Sequence, residues 1–385
     1  MTIKPFCTAP WNGITVRENG DVKVCCSSQT VLGNINSQSI DDIFNNDIQI
    51  KIKQNLLAGI PDKNCNLCAD QLKHSGTATL RNHYNFNYPE VVDKLKFIDI
   101  RWNNLCNLSC IYCGPNQSTT WAEKLNPSSI KIVKHNYDAE LENWVLSRSD
   151  QIHELMLVGG EPLLMKQNYA LINKLSDDAR ISIITNLSYN LANNPVTGIL
   201  FNRPANNTIW NISVENYGDQ FEYIRNGATW KQFDENLLLL TKHNPDTISL
   251  MMVYGVFSGL QLLDTIKYYY TTYGIKKIQL QMLNNHFSLN LFNYPINILK
   301  IARDQLIEVL EWQKYTFNVD YELHKCRDVE AIISTLNELI NVPSVRNIIS
   351  KNKFLTDIKK YDSWNTRKFS ELWFDQYNLI IESLV

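Results

Sequence analysis

Residues 97–116 read FIDIRWNNLCNLSCIYCGPN, and this stretch decides how the rest of the chain is read. An apolar run from Phe97 to Trp102 opens into a polar loop carrying Cys106, Cys110 and Cys113 at C-x3-C-x2-C spacing. Three thiolates on one loop can hold three irons of a [4Fe-4S] cluster, leaving the fourth iron an open position where a small molecule is bound and activated. A cluster that only passes electrons is normally closed by four protein ligands. The same residues also admit a zinc site short of one ligand, or plain buried thiols.

Outward from that strand, apolar runs at 96–102, 153–159, 181–185, 208–215, 247–254 and 276–283 alternate with helical stretches near 116–125, 138–147, 163–176, 219–241 and 258–273. Strands separated by crossovers of that length predict parallel βα units. Six units are too few to close an eight-stranded barrel, so the class is α/β, either a partial (β/α)6 TIM-like barrel or an open doubly wound sheet. Either form places the chemistry at the carboxyl ends of the strands.

The 385 residues are 44% hydrophobic, and 37 basic side chains nearly cancel 39 acidic ones. Such a chain buries a sizeable core and has no bulk charge for nucleic acid or an anionic membrane. MTIKPFCTAPWNG has no apolar h-region and no long uncharged apolar run follows, so the expected location is the cytoplasm. Nine cysteines are too many for ordinary core filling and odd for a disulfide framework, and eight lie within the first 113 residues. Clustered thiols in a reducing compartment indicate metal.

Residues 1–85 form a separate module in this reading. Ile14 and Val16 alternate against Val22 and Val24 around Asn19-Gly20, the signal of a hairpin with a primed turn. Residues 39–58 read as one helix capped by Ser39 or Asp41, ended by Gly59-Ile60-Pro61 before CNLC. GTATLRNHYNFNYPE (76–90) is the linker candidate, 95–285 the core, and 286–385 a mainly helical region with a break near Asn341-Val342-Pro343, whose purpose the sequence does not give.

CNLSCIYC at the end of the first strand, with Tyr112 before the last cysteine, resembles the signature loop of the radical S-adenosylmethionine (radical SAM) superfamily. Val158-Gly159-Gly160-Glu161-Pro162 after the second strand resembles that family's GGEP motif, which implies that these residues hold the methionine amino group of SAM. Thr185-Asn186 resembles the TN turn after the third strand. Ser213 and Glu215 end the fourth strand, where relatives present polar groups to the SAM ribose and carboxylate. Arg225, in Tyr-Ile-Arg-Asn-Gly, suits the SAM carboxylate by its fork of donors, and Val253 and Tyr254 are candidates beside the adenine. The resemblance selects the partial barrel and implies reductive cleavage of SAM to a 5'-deoxyadenosyl radical that removes a hydrogen atom from substrate. A reducing partner such as flavodoxin or ferredoxin is implied with it.

Cys7, Cys25, Cys65 and Cys68 are similar in spacing to the ligands of a twitch domain, the shortened SPASM module that holds an auxiliary [4Fe-4S] cluster, although here the module precedes the core. A four-cysteine zinc site satisfies the same residues. The G-x4-C spacing selects Cys25 over Cys26, which stays a spare or the true ligand if the register slips; Cys326 reads as a buried thiol or a hydrogen-atom donor. Four thiolates close a cluster, so an electron relay is expected there. Only six residues precede Cys7, which favours a small-molecule substrate, with a peptide entering an unclosed barrel as the second case. The competing class is a non-catalytic iron-sulfur or zinc protein that keeps the fold.

Overall fold

Each apolar run of the core forms a strand in the computed structural model, which describes residues 6–60, 63, 65, 68–69, 72, 79–125, 137–283, 286–317, 327–342 and 348–384. The core strands are β4 (Phe97–Ile100), β5 (Glu154–Leu157), β6 (Arg180–Thr185), β7 (Thr208–Ser213), β8 (Ile248–Tyr254) and β9 (Lys277–Met282). Before them come β1 (Gly13–Val16), β2 (Asp21–Lys23) and β3 (Gly33–Asn34). Helices follow the core strands, so the class is α/β with six βα strands, two short of a closed (β/α)8 barrel.

The chain divides into two compact units. The first holds Met1–Asn107, Gly114–Thr185 and Tyr189–Asn211, and its strands lie in the order β3-β2-β1-β4-β5-β6. β1 to β3 meander antiparallel, whereas β1 pairs with β4, β4 with β5 and β5 with β6 in parallel. The hairpin therefore extends the core sheet through β1. Ile14, Ile98, Leu155 and Ile181 are fully buried on one face, and the register aligns Thr15, Asp99, Met156 and Ser182 as one row on the other. The second unit holds Leu108–Cys113, Asn186–Ser188 and Ile212–Val385, with β8 parallel to β9 and helices at Ile296–Phe317, Arg327–Asn341, Lys351–Asp362, Phe369–Leu372 and Phe374–Ser383.

Four local expectations are corrected. The hairpin turn is not primed: Gly20 N–H donates to the Arg17 carbonyl (2.9 Å) and Gly20 alone of the loop has positive φ (87°), so it follows a turn as a bulge glycine. The 39–58 helix is two, Ile40–Phe44 capped by the Ser39 side chain and Asp47–Leu57 capped by Asn46, because that second Asx cap restarts it. The supposed linker contains a helix, Thr79–Asn87, whose Tyr84 packs with Ala9, Tyr88 and Phe97. The 219–241 helix breaks after Ile224, at Gly227 (φ 101°), and restarts at Trp230 under a Thr229 cap. Cys326 and Pro343 lie outside the described residues.

Candidate functional site

In the first unit, the segment leading into Cys106 is locked to the turn after β5. Gly160 N–H donates to the Asn103 carbonyl (3.3 Å) and Glu161 N–H to the Leu105 carbonyl (2.8 Å). A Cβ on Gly160 would lie 2.1 Å from the Leu105 carbonyl oxygen, and Gly159 sits at φ 132°. The second glycine is thus required first by contact with the cysteine loop, a reason that the sequence alone assigns to ligand approach. Glu161 is fully buried, and its Oε1 accepts from Leu163 N–H (3.1 Å) and Thr185 Oγ1 (2.7 Å), which joins the GGEP motif to the end of β6. Pro162 starts the short turn Pro162–Leu164, and its carbonyl accepts from Asn168. The Cys106 carbonyl accepts from Thr120 Oγ1 (2.7 Å), fixing the first thiol on the helix Thr119–Leu125.

The second unit carries Cys110 and Cys113, with Cys113 N–H donating to the Cys110 carbonyl (2.9 Å). Arg225 does not present an unengaged fork: Nε and Nη2 donate to Glu215 at 2.9 and 2.6 Å, and both side chains are buried. Its Nη1 lies 3.8 Å from Cys110 Sγ, and its guanidinium carbon lies 5.4 Å from the Tyr112 ring centroid. Burial pushes the Cys110 thiol up to about 12, while Arg225 pulls it down. A cation beside a buried thiol favours the thiolate that iron requires. Ser213 ends β7, and Glu215 Oε1 also accepts from Val253 N–H (3.3 Å), while Tyr254 is buried and donates to the Ala302 carbonyl. Asn186 Oδ1 accepts from Ser188, and Leu187 between them holds φ 54°. A non-glycine residue in the left-handed region at this turn is stored strain that the sequence does not reveal.

The C-terminal region has a visible role within this unit. Ser109 N–H and Ile111 N–H donate to the carbonyls of Asn226 and Ile224 (2.9 and 3.0 Å), so residues 224–226 brace the loop. Asn226 in turn donates to the Trp364 carbonyl and Asn365 Oδ1 (2.9 and 2.8 Å), and Tyr223 OH to Asp362 (2.8 Å). Phe257, Phe369 and Trp373 pack around Tyr223. The tail is a buttress for the cysteine loop, a long-range contact no local motif announces.

Cys7, Cys25, Cys65 and Cys68 line one cavity of the first unit, together with Tyr84 and Arg81, and Cys26 is not on its wall. The cavity encloses about 540 Å³, open solvent at its mouth included. Among the described residues no three His, Cys, Asp or Glu side chains are drawn together to hold a metal ion. Burial pushes the Cys7 thiol up to about 12 and also raises Cys25 and Cys68; the Ala9 N–H and Arg81 oppose it at Cys7. Neutral thiols in an apolar cavity are deprotonated by an incoming metal. Tyr84 lines this space; its buried hydroxyl has no hydrogen-bond partner, and burial, then Cys25, Cys26 and Cys7, raise its phenol well above the usual value. Four thiols, a cation and an orphaned donor around one hollow fit an anionic iron-sulfur core, whose sulfurs accept hydrogen bonds.

Charged side chains occupy the strand face of the first unit. Arg101 Nη2 lies 3.6 Å from Asp99 Oδ2, Thr15 Oγ1 donates to the same oxygen (3.4 Å), and Arg17 Nη2 lies 3.3 Å from Glu18 Oε1. Lys23 Nζ donates to the Ser28 carbonyl (3.0 Å), and burial, then Arg17, pull its ammonium below the usual value. Burial raises the Asp99 carboxyl although Arg101 opposes it, and burial followed by Asp99 raises the Cys26 thiol. None of these charged residues stands out in the sequence, because an Asp or Arg within a strand carries no motif.

Comparison with known proteins places these features. A model for the radical SAM superfamily matches residues 100–268, and one for an iron-sulfur cluster-binding domain, SPASM, matches residues 7–70. The GTP 3',8-cyclase of Nautilia profundicola is 30% identical over 99 residues, 25% of this chain and 29% of that protein. The GTP 3',8-cyclase of Campylobacter lari is 30% identical over 106 residues, 26% and 30% respectively, so the chain spans under a third of these relatives' length. Among solved structures, anSMEcpe with bound AdoMet and the Kp18Cys peptide aligns at 16% identity and TM-score 0.41, covering 58% of this chain and 60% of that one. Streptococcus suis SuiB bound to S-adenosylmethionine aligns at 12% identity and TM-score 0.43, covering 71% and 60%.

Proposed function

We propose, from the radical SAM match over residues 100–268 and the SPASM match over residues 7–70 on its N-terminal side, that the chain is a SAM-cleaving enzyme of the radical SAM superfamily acting on a small molecule. With a [4Fe-4S] cluster and SAM bound, the chemistry supplied is one-electron cleavage of the sulfonium to methionine and a 5'-deoxyadenosyl radical, which takes a hydrogen atom from substrate. Cys106, Cys110 and Cys113 hold the cluster in this reading. Glu161, fixed by Leu163 N–H and Thr185, would pair with the SAM ammonium, and Gly159, Gly160 and Pro162 shape the turn that carries it. Tyr112, Asn186 and Ser213 are the further cofactor-binding candidates that the family resemblance gives. Arg225, anchored on Glu215, keeps positive charge on the Cys110 thiol and is a positioning residue.

Cys7, Cys25, Cys65 and Cys68 would hold an auxiliary [4Fe-4S] cluster, which would supply an electron relay, with a flavodoxin or ferredoxin as the reducing partner. The observation that carries the reading is the backbone lock between the cysteine loop and the GGEP turn, which sets thiol and carboxylate in one frame. The matched relatives are named for a nucleotide substrate, which favours a small molecule. The test is anaerobic reconstitution with iron and sulfide, reduction with dithionite and chromatography of 5'-deoxyadenosine. Product at or above one equivalent per chain is expected; none, with iron complete, identifies a non-catalytic iron-sulfur protein.

A further inference from the structure

We propose that Arg17, Lys23 and Arg101 form a seat for an anionic group of the substrate, a carboxylate or a phosphate. The inference rests on the SAM-cleaving reading only in calling that ligand the substrate. Strand pairing puts Lys23 on β2 opposite Thr15 on β1, and Thr15 opposite Asp99 on β4, so the three share one face. Arg17 and Arg101 each follow two positions later, on the same face by the strand's period. Three cations thus meet three carboxylates at one patch, Asp99, Glu18 and Asp21, the last acting on Lys23 from two positions earlier on β2. Asp99 is fully buried, and the Arg17 and Arg101 side chains keep 25% and 19% exposure, enough to be reached from outside.

The patch is also short of hydrogen bonds. Arg101 Nε, Asp99 Oδ1 and Glu18 Oε2 are buried without a partner. A buried guanidinium N–H left unpaired is costly, and a bound oxyanion removes that cost by accepting from Arg101 Nε. The two orphaned carboxylate oxygens, Asp99 Oδ1 and Glu18 Oε2, can accept from a hydroxyl or ammonium that a substrate carries beside its anionic group. The position suits a substrate. The Arg101 Cα lies 3.8 Å from a Cβ built on Gly159 in the GGEP turn, and the Asp99 charge acts on both Cys26 and Tyr84, which adjoin the thiol cavity. The row runs along β4 from the cofactor turn toward the second set of thiols.

The experiment is calorimetric titration of the anaerobically reconstituted full chain with inorganic phosphate and, separately, acetate, at low and high salt. At least one anion is expected to bind, more weakly as salt rises. Arg101→Gln and, as a second variant should that one misfold, Lys23→Met are each expected to weaken binding at least tenfold. Preference for phosphate or acetate identifies the group. No binding of either anion to the wild type, or affinity unchanged in both variants, overturns the seat. Formation of 5'-deoxyadenosine by the wild type is read separately, so a failure of the enzyme reading and a failure of the seat are told apart.

Discussion

The thiol cavity of the first unit and the cysteine loop of the core solve the same problem with opposite means. The cavity gathers Cys7, Cys25, Cys65 and Cys68 on a wall of apolar and aromatic side chains, with Arg81 as its charged neighbour. The core loop has three cysteines, and its support is polar and long-range: the GGEP backbone for the segment before Cys106, and Arg225, Glu215 and Asn226 for the segment carrying Cys110. A site closed by four thiolates needs only a stable shell. A loop that leaves one iron for a ligand must hold its shape without a fourth thiol, and each buried hydrogen bond there replaces part of that missing constraint.

Replacing Cys106, Cys110 and Cys113 together with Ala is expected to abolish 5'-deoxyadenosine formation while the chain keeps about half its iron, on the order of four per chain; chromatography and iron assay check this. Gly160→Ala drives a Cβ onto the Leu105 carbonyl, backbone against backbone. A loss above about 3 kcal/mol of stability, or a displaced loop with impaired SAM binding, is expected from thermal unfolding and binding measurements.

The two adjacent cysteines sharpen the other side. Cys25→Ser is expected to lower iron from about eight to about four per chain, whereas Cys26→Ser leaves it unchanged, since only Cys25 lines the cavity. The smallest effect is electronic. Tyr84→Phe removes the orphaned hydroxyl donor and is expected to lower the auxiliary cluster's potential by about 50 mV, roughly one ordinary hydrogen bond of about 1 kcal/mol in a one-electron couple, as read by redox titration with EPR detection.

Much of this was legible in the order of residues. All six core strands fall where the sequence predicts them: β4 to β8 are largely buried on both faces and read as near-continuous apolar runs, whereas β9, with only Leu280 buried, shows alternation alone. The cysteine loop and GGEP turn were legible for the same reason: their chemistry is local. What escaped depends on partners distant in sequence. That β1 joins the core beside β4 is a parallel pairing across some 80 residues, which no turn signals. The helix Thr79–Asn87 hid among Asn and His residues of a loop-like composition. Arg225 was legible as a fork of donors, but not that Glu215, ten positions earlier, would take two of them. The acidic and basic side chains around Asp99 carry no motif, since only the register of β1, β2 and β4 brings them onto one face.

The central claim is that one thiol set keeps an open iron and the other is closed. Mössbauer spectra of the fully reconstituted, iron-57-labelled chain, recorded with and without SAM, test it most directly. About eight irons per chain are expected, with SAM altering one site of one cluster and leaving the second cluster's signal untouched. A spectrum that SAM does not change, changes in both clusters, or about four irons accompanied by one zinc would contradict it.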